Sequence, residues 1–163
     1  HQIDVELLDE MAAEIIRLFE GKKITKVLTI ESSGIAIACA VARILKVPAV
    51  FCKKSKSSNV PEDVYSVTIH SFTHNKDFNV IVSKQFVSKD DSILVVDDFL
   101  ANGCALEGLI SLIKDAGAEF IGAGICIEKG FQGGGDRLRE KGLDIQSLAI
   151  VESMGEDGIK FRN

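Results

Sequence analysis

The sequence predicts an α/β fold, a mainly parallel sheet flanked by helices, and three observations predict it. Apolar runs of strand character alternate with segments of helical period. Runs such as Ile93, Leu94, Val95 and Val96 are apolar at every position, as in strands covered on both faces. Two of these runs end in a short loop of small polar residues that opens a helix.

An amphipathic helix is expected first, from about Val5 to Phe19, stopped by Gly21. Strands are expected near 26–30, 48–52, 64–70, 78–83, 92–97, 120–127 and 145–151. Further helices are expected over about 35–45, 104–115 and 134–141. The helix at 104–115 is read from the spacing of Leu106, Leu109, Ile110 and Ile113, and the last helix ends before Gly142. Between Asp63 and Ser83 no helical period intervenes, which predicts an antiparallel hairpin with its turn at Thr73 to Asp77. The polar run Lys53, Lys54, Ser55, Lys56, Ser57, Ser58 and Asn59 before it has little that could pack, so it reads as a flexible loop. Phe161 lies in a polar tail.

At 163 residues and 46% hydrophobic, the chain can bury one substantial core and is too short for two ordinary domains, so a single domain over 1–163 is expected. No stretch approaches the roughly 20 apolar residues that span a bilayer, no signal peptide is visible, and the cytoplasm is the default compartment. Cys39, Cys52, Cys104 and Cys126 are scattered through apolar segments without paired metal spacing, and His1, His70 and His74 form no ligand-like group. No protein-built metal site is expected. A net charge of −5, with 24 acids against 19 basic residues, argues against nucleic acid as a partner.

The segment from Ile93 to Ala105 carries the most chemistry. A buried strand ends in Asp97 and Asp98, and Ala101, Asn102, Gly103, Cys104 and Ala105 then lead into a helix. Side chains this small let the amides at the helix start approach an anion, and the helix dipole favours negative charge there. The acids cannot themselves be the phosphate contacts. A group carrying both a phosphate and vicinal hydroxyls, such as a ribose phosphate, satisfies amides and carboxylates together. Competing phosphate motifs fail: there is no Gly-Lys-Ser/Thr ending, and Gly122 and Gly124 sit inside an apolar run with Ile127 where a third glycine would be needed. Cys104 at a helix start could suggest a phosphatase nucleophile, but Ile110 stands where that site needs an arginine.

A second strand-to-loop junction, Glu31, Ser32, Ser33 and Gly34, follows Lys26 to Ile30. On its own it reads equally as a helix cap or as an anion cradle. A third strand end delivers Lys129 and Phe131, either an ordinary loop start or a cation and ring suited to a planar base.

Glu31-Ser32-Ser33-Gly34-Ile35, Asp97-Asp98-Phe99-Leu100-Ala101-Asn102-Gly103 and Ile127-Glu128-Lys129-Gly130-Phe131-Gln132 together resemble the type I phosphoribosyltransferases, enzymes that use 5-phosphoribosyl 1-pyrophosphate, and the likeness covers nearly the whole chain. The resemblance implies that Asp97 and Asp98 bind the ribose hydroxyls and Ala101 to Ala105 the 5′-phosphate. It makes Ser32, Ser33 and Gly34 the pyrophosphate loop, with Lys53 and Lys54 as its nearest cations, although the spacing does not separate these two, and leaves Lys56 facing solvent. Lys129 would read the O6 of a purine and Phe131 would stack on it. Xanthine is the implied acceptor, with hypoxanthine or guanine as the alternative on the same scaffold. A non-catalytic purine regulator that senses the same donor is a further alternative, but it would need a DNA-binding segment. A Mg²⁺ ion held mainly by substrate and water is implied, as are a homodimer and a small hood over the base. Part of that hood is expected to lie in an N-terminal segment before His1, and Asn102 replaces the threonine more usual in the family.

Overall fold

The computed structural model describes residues 2–55, 62–71 and 76–162. Eight strands form one sheet: β1 (Lys26–Ile30), β2 (Ala49–Ser55), β3 (Val64–Ser71), β4 (Lys76–Ser83), β5 (Ser92–Leu100), β6 (Glu119–Lys129), β7 (Ile145–Gly155) and β8 (Gly158–Phe161). Their order is β3-β4-β2-β1-β5-β6-β7-β8. The central five, β2-β1-β5-β6-β7, run parallel, and the hairpins β3/β4 and β7/β8 add antiparallel edges. Four helices accompany them: α1 (Val5–Leu18), α2 (Gly34–Leu45), α3 (Cys104–Asp115) and α4 (Gly134–Glu140).

Both faces of the sheet are covered, which is why the central strands are apolar throughout. On one face α1 and α2 bury Ala12, Ile15, Phe19, Ile37 and Val41 against Val27, Leu94 and Val96. Gly122 and Gly124, which interrupt the apolar run of β6, leave the space that Phe19 and Ile15 fill. On the other face Leu106, Leu109 and Ile113 of α3, together with Leu138 of α4, pack on Leu28, Ile93, Val95 and Ile125. α1 is capped by Asp4, whose Oδ1 accepts from the Glu6 and Leu7 amides at 3.2 and 3.1 Å.

The expected elements are present, with differences at their ends. β5 continues through Asp98 to Leu100 because it stays paired with β6, Phe99 against Ile127 and Leu100 against Glu128. β2 runs on to Ser55 by pairing with β4. Lys76 and Asp77, placed in the hairpin turn by sequence, belong to β4. Residues 73–75 of that turn, and Lys56 to Asn59 of the expected flexible loop, lie outside the described residues. The tail around Phe161 is a strand, β8, paired with β7 through a tight turn.

β1 lies between β2 on one side and β5 on the other, so successive crossovers leave it in opposite directions. The carboxyl ends of β1 and β5 therefore bound the crevice in which open α/β sheets hold their ligands. The two small-residue loops leave the sheet at these two ends.

Candidate active site

The loop after β5 is a recess of about 90 Å³ lined by Asp97, Phe99, Ala101, Asn102, Gly103 and Ala105. Gly103 takes φ 87°, a left-handed conformation that a side chain disfavours, and this turns the chain into α3. The first amides of a helix lack intrahelical acceptors. Asn102 Oδ1 accepts from the Cys104 amide at 3.1 Å, and the Gly103 carbonyl accepts from the Glu107 amide at 2.9 Å. The amides of Ala105 and Leu106, between these two, point toward the recess end of α3.

The loop after β1 is exposed at Ser32 and Ser33 and buried at Gly34. The Glu31–Ser32 peptide is cis. Ser33 precedes α2 without a side-chain cap bond. A Cβ on Gly34 would lie 2.1 Å from Thr29 Oγ1 and 2.7 Å from Asp97 Oδ1, so glycine is what allows this loop to sit against the acid near the end of β5. The two strand ends share one seam.

Asp97 and Asp98 are half-buried. Burial is the main cause that pushes Asp97 up to about 8, with the neighbouring Asp98 adding to it; the Asp98 amide, donating to Asp97 Oδ1 at 3.0 Å, and the charge of Lys54 oppose the shift. One carboxyl of the pair therefore keeps a proton to near neutral pH. The same two acids reach Cys126 on β6: burial first, then Asp98 and Asp97, push its thiol up to about 11.

Lys54 and Lys53 part company. The Lys54 amide donates to Glu31 Oε1 at 2.5 Å, its ammonium lies 5.6 Å from the Phe78 ring centroid, and its charge is felt at Asp97. Strand alternation sends Lys53 the other way. There it lines an apolar groove of about 450 Å³ with Phe51, Ile81 and Phe86.

At the end of β6 the ammonium of Lys129 lies 5.2 Å from the centroid of Phe99, which is 48% exposed. Phe131 follows in a single 3-10 turn, Gly130–Gln132, also half-exposed. Phe99 was missed in the sequence reading, although its place two residues after Asp97 on one strand puts both side chains on one face. Also missed were the residues that brace this end of the sheet. Glu128, fully buried, accepts from Arg139 Nη1 at 2.9 Å and Nη2 at 2.5 Å and from Ser147 Oγ at 2.6 Å. Burial pushes its pKa up, but the Arg139 and Ser147 hydrogen bonds outweigh this and hold it below the usual carboxylate range. Arg137, on the same helix as Arg139, donates to the Asn102 carbonyl at 2.8 Å and pairs with Glu107 at 2.7 Å. α4 thus braces the phosphate-type recess and the end of β6 together.

Among the described residues no three His, Cys, Asp or Glu side chains converge as a metal-binding group, and no helix is long and apolar enough to cross a membrane.

The family profile for the phosphoribosyl transferase domain matches residues 1–153. A xanthine phosphoribosyltransferase of Lachnoclostridium phytofermentans is 57% identical over 99% of this chain and 84% of its own length. One from Bifidobacterium adolescentis is 58% identical over 100% of this chain and 86% of its own. In structure, the adenine phosphoribosyltransferase of Giardia lamblia, complexed with 9-deazaadenine, matches with a TM-score of 0.78 at 28% identity over 90% of this chain and 80% of that one. That of Rhodothermus marinus matches the fold with the same TM-score, 0.78, at 24% identity and with the same coverage, 90% and 80%. With a family profile running through nearly the whole sequence and both of its anion-type loops meeting at the switch point of the sheet, this chain belongs to the phosphoribosyltransferase family.

Proposed function

We propose that the chain transfers the 5-phosphoribosyl group from 5-phosphoribosyl 1-pyrophosphate to a ring nitrogen of xanthine, giving xanthosine 5′-monophosphate and pyrophosphate in purine salvage. The observation that carries this reading is the seam at which Gly34, Thr29 and Asp97 meet, because it sets two small-residue loops on either side of an acid pair. The recess after β5, closed by Ala101, Asn102, Gly103, Cys104 and Ala105, takes the 5′-phosphate on the free amides at the start of α3. Asp97 and Asp98 accept from the ribose hydroxyls. Ser32, Ser33 and Gly34 hold the pyrophosphate, with Lys54 as the cation on their side of β2.

Departure of pyrophosphate leaves positive charge on the ribose ring, and the chain's contribution is positioning together with carboxylate charge beside that ring. No covalent enzyme intermediate is needed. The raised Asp97 also lets one carboxyl of the pair take or give a proton near neutral pH. A Mg²⁺ ion would be held here mainly by substrate phosphate oxygens and water, the mode such ions commonly adopt in place of an all-protein cage, with at most one or two carboxylates from this edge of the sheet. When bound, it would offset the charge of the donor's pyrophosphate.

Lys129 sets the choice of base. An ammonium only donates, so it suits a 6-oxo group and not a 6-amino group; Phe99 offers a ring face beside it, and Phe131, two residues on, exposes its own ring. The names of the relatives support xanthine among the 6-oxopurines. The four cysteines are unpaired, in keeping with a reducing cytoplasm, and the apolar groove with Phe51 and Phe86 at its rim supports a homodimer. The decisive experiment is an absorbance assay with the donor, Mg²⁺ and, in turn, xanthine, hypoxanthine, guanine and adenine. Turnover is expected to be greatest with xanthine. Donor binding without nucleotide formation from any base would overturn the reading.

A further inference from the structure

β1 is buried on both faces, with Val27 and Leu28 fully buried and Ile30 6% exposed, and Thr29 within it is 1% exposed. Valine has the same shape and carries no group to desolvate. Threonine here carries a cost, because Thr29 Oγ1 is, among the described residues, a buried side-chain polar atom with no hydrogen-bond partner. Unpaired buried hydroxyls are unfavourable, and each one in a folded chain calls for a reason.

The position of this hydroxyl supplies one. Thr29 Oγ1 and Asp97 Oδ1 lie 2.1 and 2.7 Å from a single point, the place a Cβ on Gly34 would occupy. The orphan donor therefore lies where the pyrophosphate-type loop meets the acid pair, within about 5 Å of Asp97 Oδ1. A threonine hydroxyl turns freely about its C–O bond and can give its proton to either oxygen of a carboxylate. The groups that bear on Asp97 come from every neighbouring element: Asp98 on its own strand, Lys54 on β2, Cys126 on β6 and the glycine start of α2. Of these, the Asp98 amide already donates to Asp97 Oδ1 at 3.0 Å and the Cys126 thiol is at most a weak donor, so the Thr29 hydroxyl would be an added neutral donor from the loop side.

Resting on the phosphoribosyl-transfer reading, we infer that Thr29 is a positioning residue, whose hydroxyl donates to Asp97 as the Ser32–Gly34 loop engages pyrophosphate and so fixes the carboxylate that receives the ribose diol. Two variants separate this role from packing. Thr29→Val keeps the shape and removes the donor, while Thr29→Ser keeps the donor and removes the methyl group. Both are compared with the wild-type protein by thermal melting and by steady-state kinetics with donor and xanthine.

Thr29→Val is expected to melt at or above the wild-type temperature while kcat/KM for the donor falls on the order of tenfold, with the KM for xanthine unchanged. Thr29→Ser is expected to recover the donor kcat/KM to within about threefold of wild type, since the donor is what matters. Wild-type donor kinetics in Thr29→Val overturn the inference, and so does a Thr29→Ser variant as impaired as Thr29→Val. Should Thr29→Val melt low, the serine variant still decides. A wild-type control that forms no nucleotide overturns the underlying reading, whereas an active control beside a fully active Thr29→Val overturns the role of Thr29 alone.

Discussion

Two adjacent lysines show what a one-residue step means in a strand. Lys53 and Lys54 pair with Ile81 and Val80 of β4, so their side chains leave opposite faces of β2. The charge of Lys54 reaches Asp97, and Lys53 lines the groove with Phe51 and Phe86. Lys54→Ala is therefore expected to raise the KM for the donor by roughly tenfold and Lys53→Ala by less than about twofold, the difference between a charge facing a pyrophosphate and one facing elsewhere. Initial-rate measurements at low salt check this, and equal effects would remove Lys54 from the site. The sequence named both lysines but could not choose, because the choice depends on where β2 ends and which strand it pairs with. Gly34 is a second case. An added methyl group would meet Thr29 Oγ1 at 2.1 Å and Asp97 Oδ1 at 2.7 Å, both part of a packed seam. Gly34→Ala should cost about 1–3 kcal/mol, the range for overpacking, and should raise the donor KM by forcing the start of α2 away from the acids. Calorimetry and donor titration together check it: an unchanged melting temperature with an unchanged KM would show that the seam is loose.

At the scale of elements, α4 joins two parts of the site that the sequence presented separately. Its seven residues carry Arg137, which holds the Asn102 carbonyl of the recess, and Arg139, which neutralises Glu128 beneath Lys129. Sequence pattern had marked only a short helix there. Neither arginine was recognisable, because their partners lie far along the chain or are set by pairing of β6 with β7. Removing one side of a buried ion pair leaves the other uncompensated, and partial exposure of Arg139 (30%) softens the penalty. Glu128→Gln is thus expected to destabilise the chain by about 2–3 kcal/mol, below the range for fully buried pairs. Because its pKa is held below 4.5 in the fold, that stabilisation is present above this value and is lost as pH falls below it, so the gap between wild type and variant should close in acid. Arg137→Met should do the reverse, raising the donor KM while leaving stability nearly unchanged, since exposed ion pairs contribute little. Chemical denaturation at two pH values, set beside donor kinetics, distinguishes the two arginine-bearing contacts. A Glu128→Gln variant as stable as wild type would show that α4 is held by packing alone.

For the molecule as a whole, the order β2-β1-β5 decides where chemistry can occur. The alternation of strand and helix, the antiparallel hairpin and the two loop sequences were legible because each is a local pattern. β8 was not, since Gly158 to Phe161 offers a single Ile-Lys-Phe alternation, too short to mark a strand within a polar tail, and becomes one by pairing with β7. Phe99 escaped notice for a related reason: sequence ended the strand at Asp97, whereas pairing with β6 carries it to Leu100 and directs the ring to Lys129. The same topology buries Asp97 between β1 and β6 beside Asp98, and this has a consequence for global stability. Burial pushes its carboxyl up to about 8 in the fold, against an ordinary value of 3.8. Below pH 3.8 both states hold the proton and burial costs nothing in linkage. Between about 4 and 8 the unfolded chain is ionised while the fold retains the proton, so stability falls as pH rises, and the full cost is present above 8. Asp97→Asn cannot ionise and escapes this decline. The variant should therefore gain on wild type steadily from pH 4 to pH 8, reaching on the order of 2–3 kcal/mol for a half-buried group, while losing about a hundredfold or more in turnover as the site loses a carboxyl that can take or give a proton. Urea denaturation at pH 4, 6 and 8, paired with the nucleotide-forming assay, measures both. A stability difference that stays flat across this range would mean that Asp97 is ionised throughout, and the acid pair would then have to act with two negative charges at neutral pH.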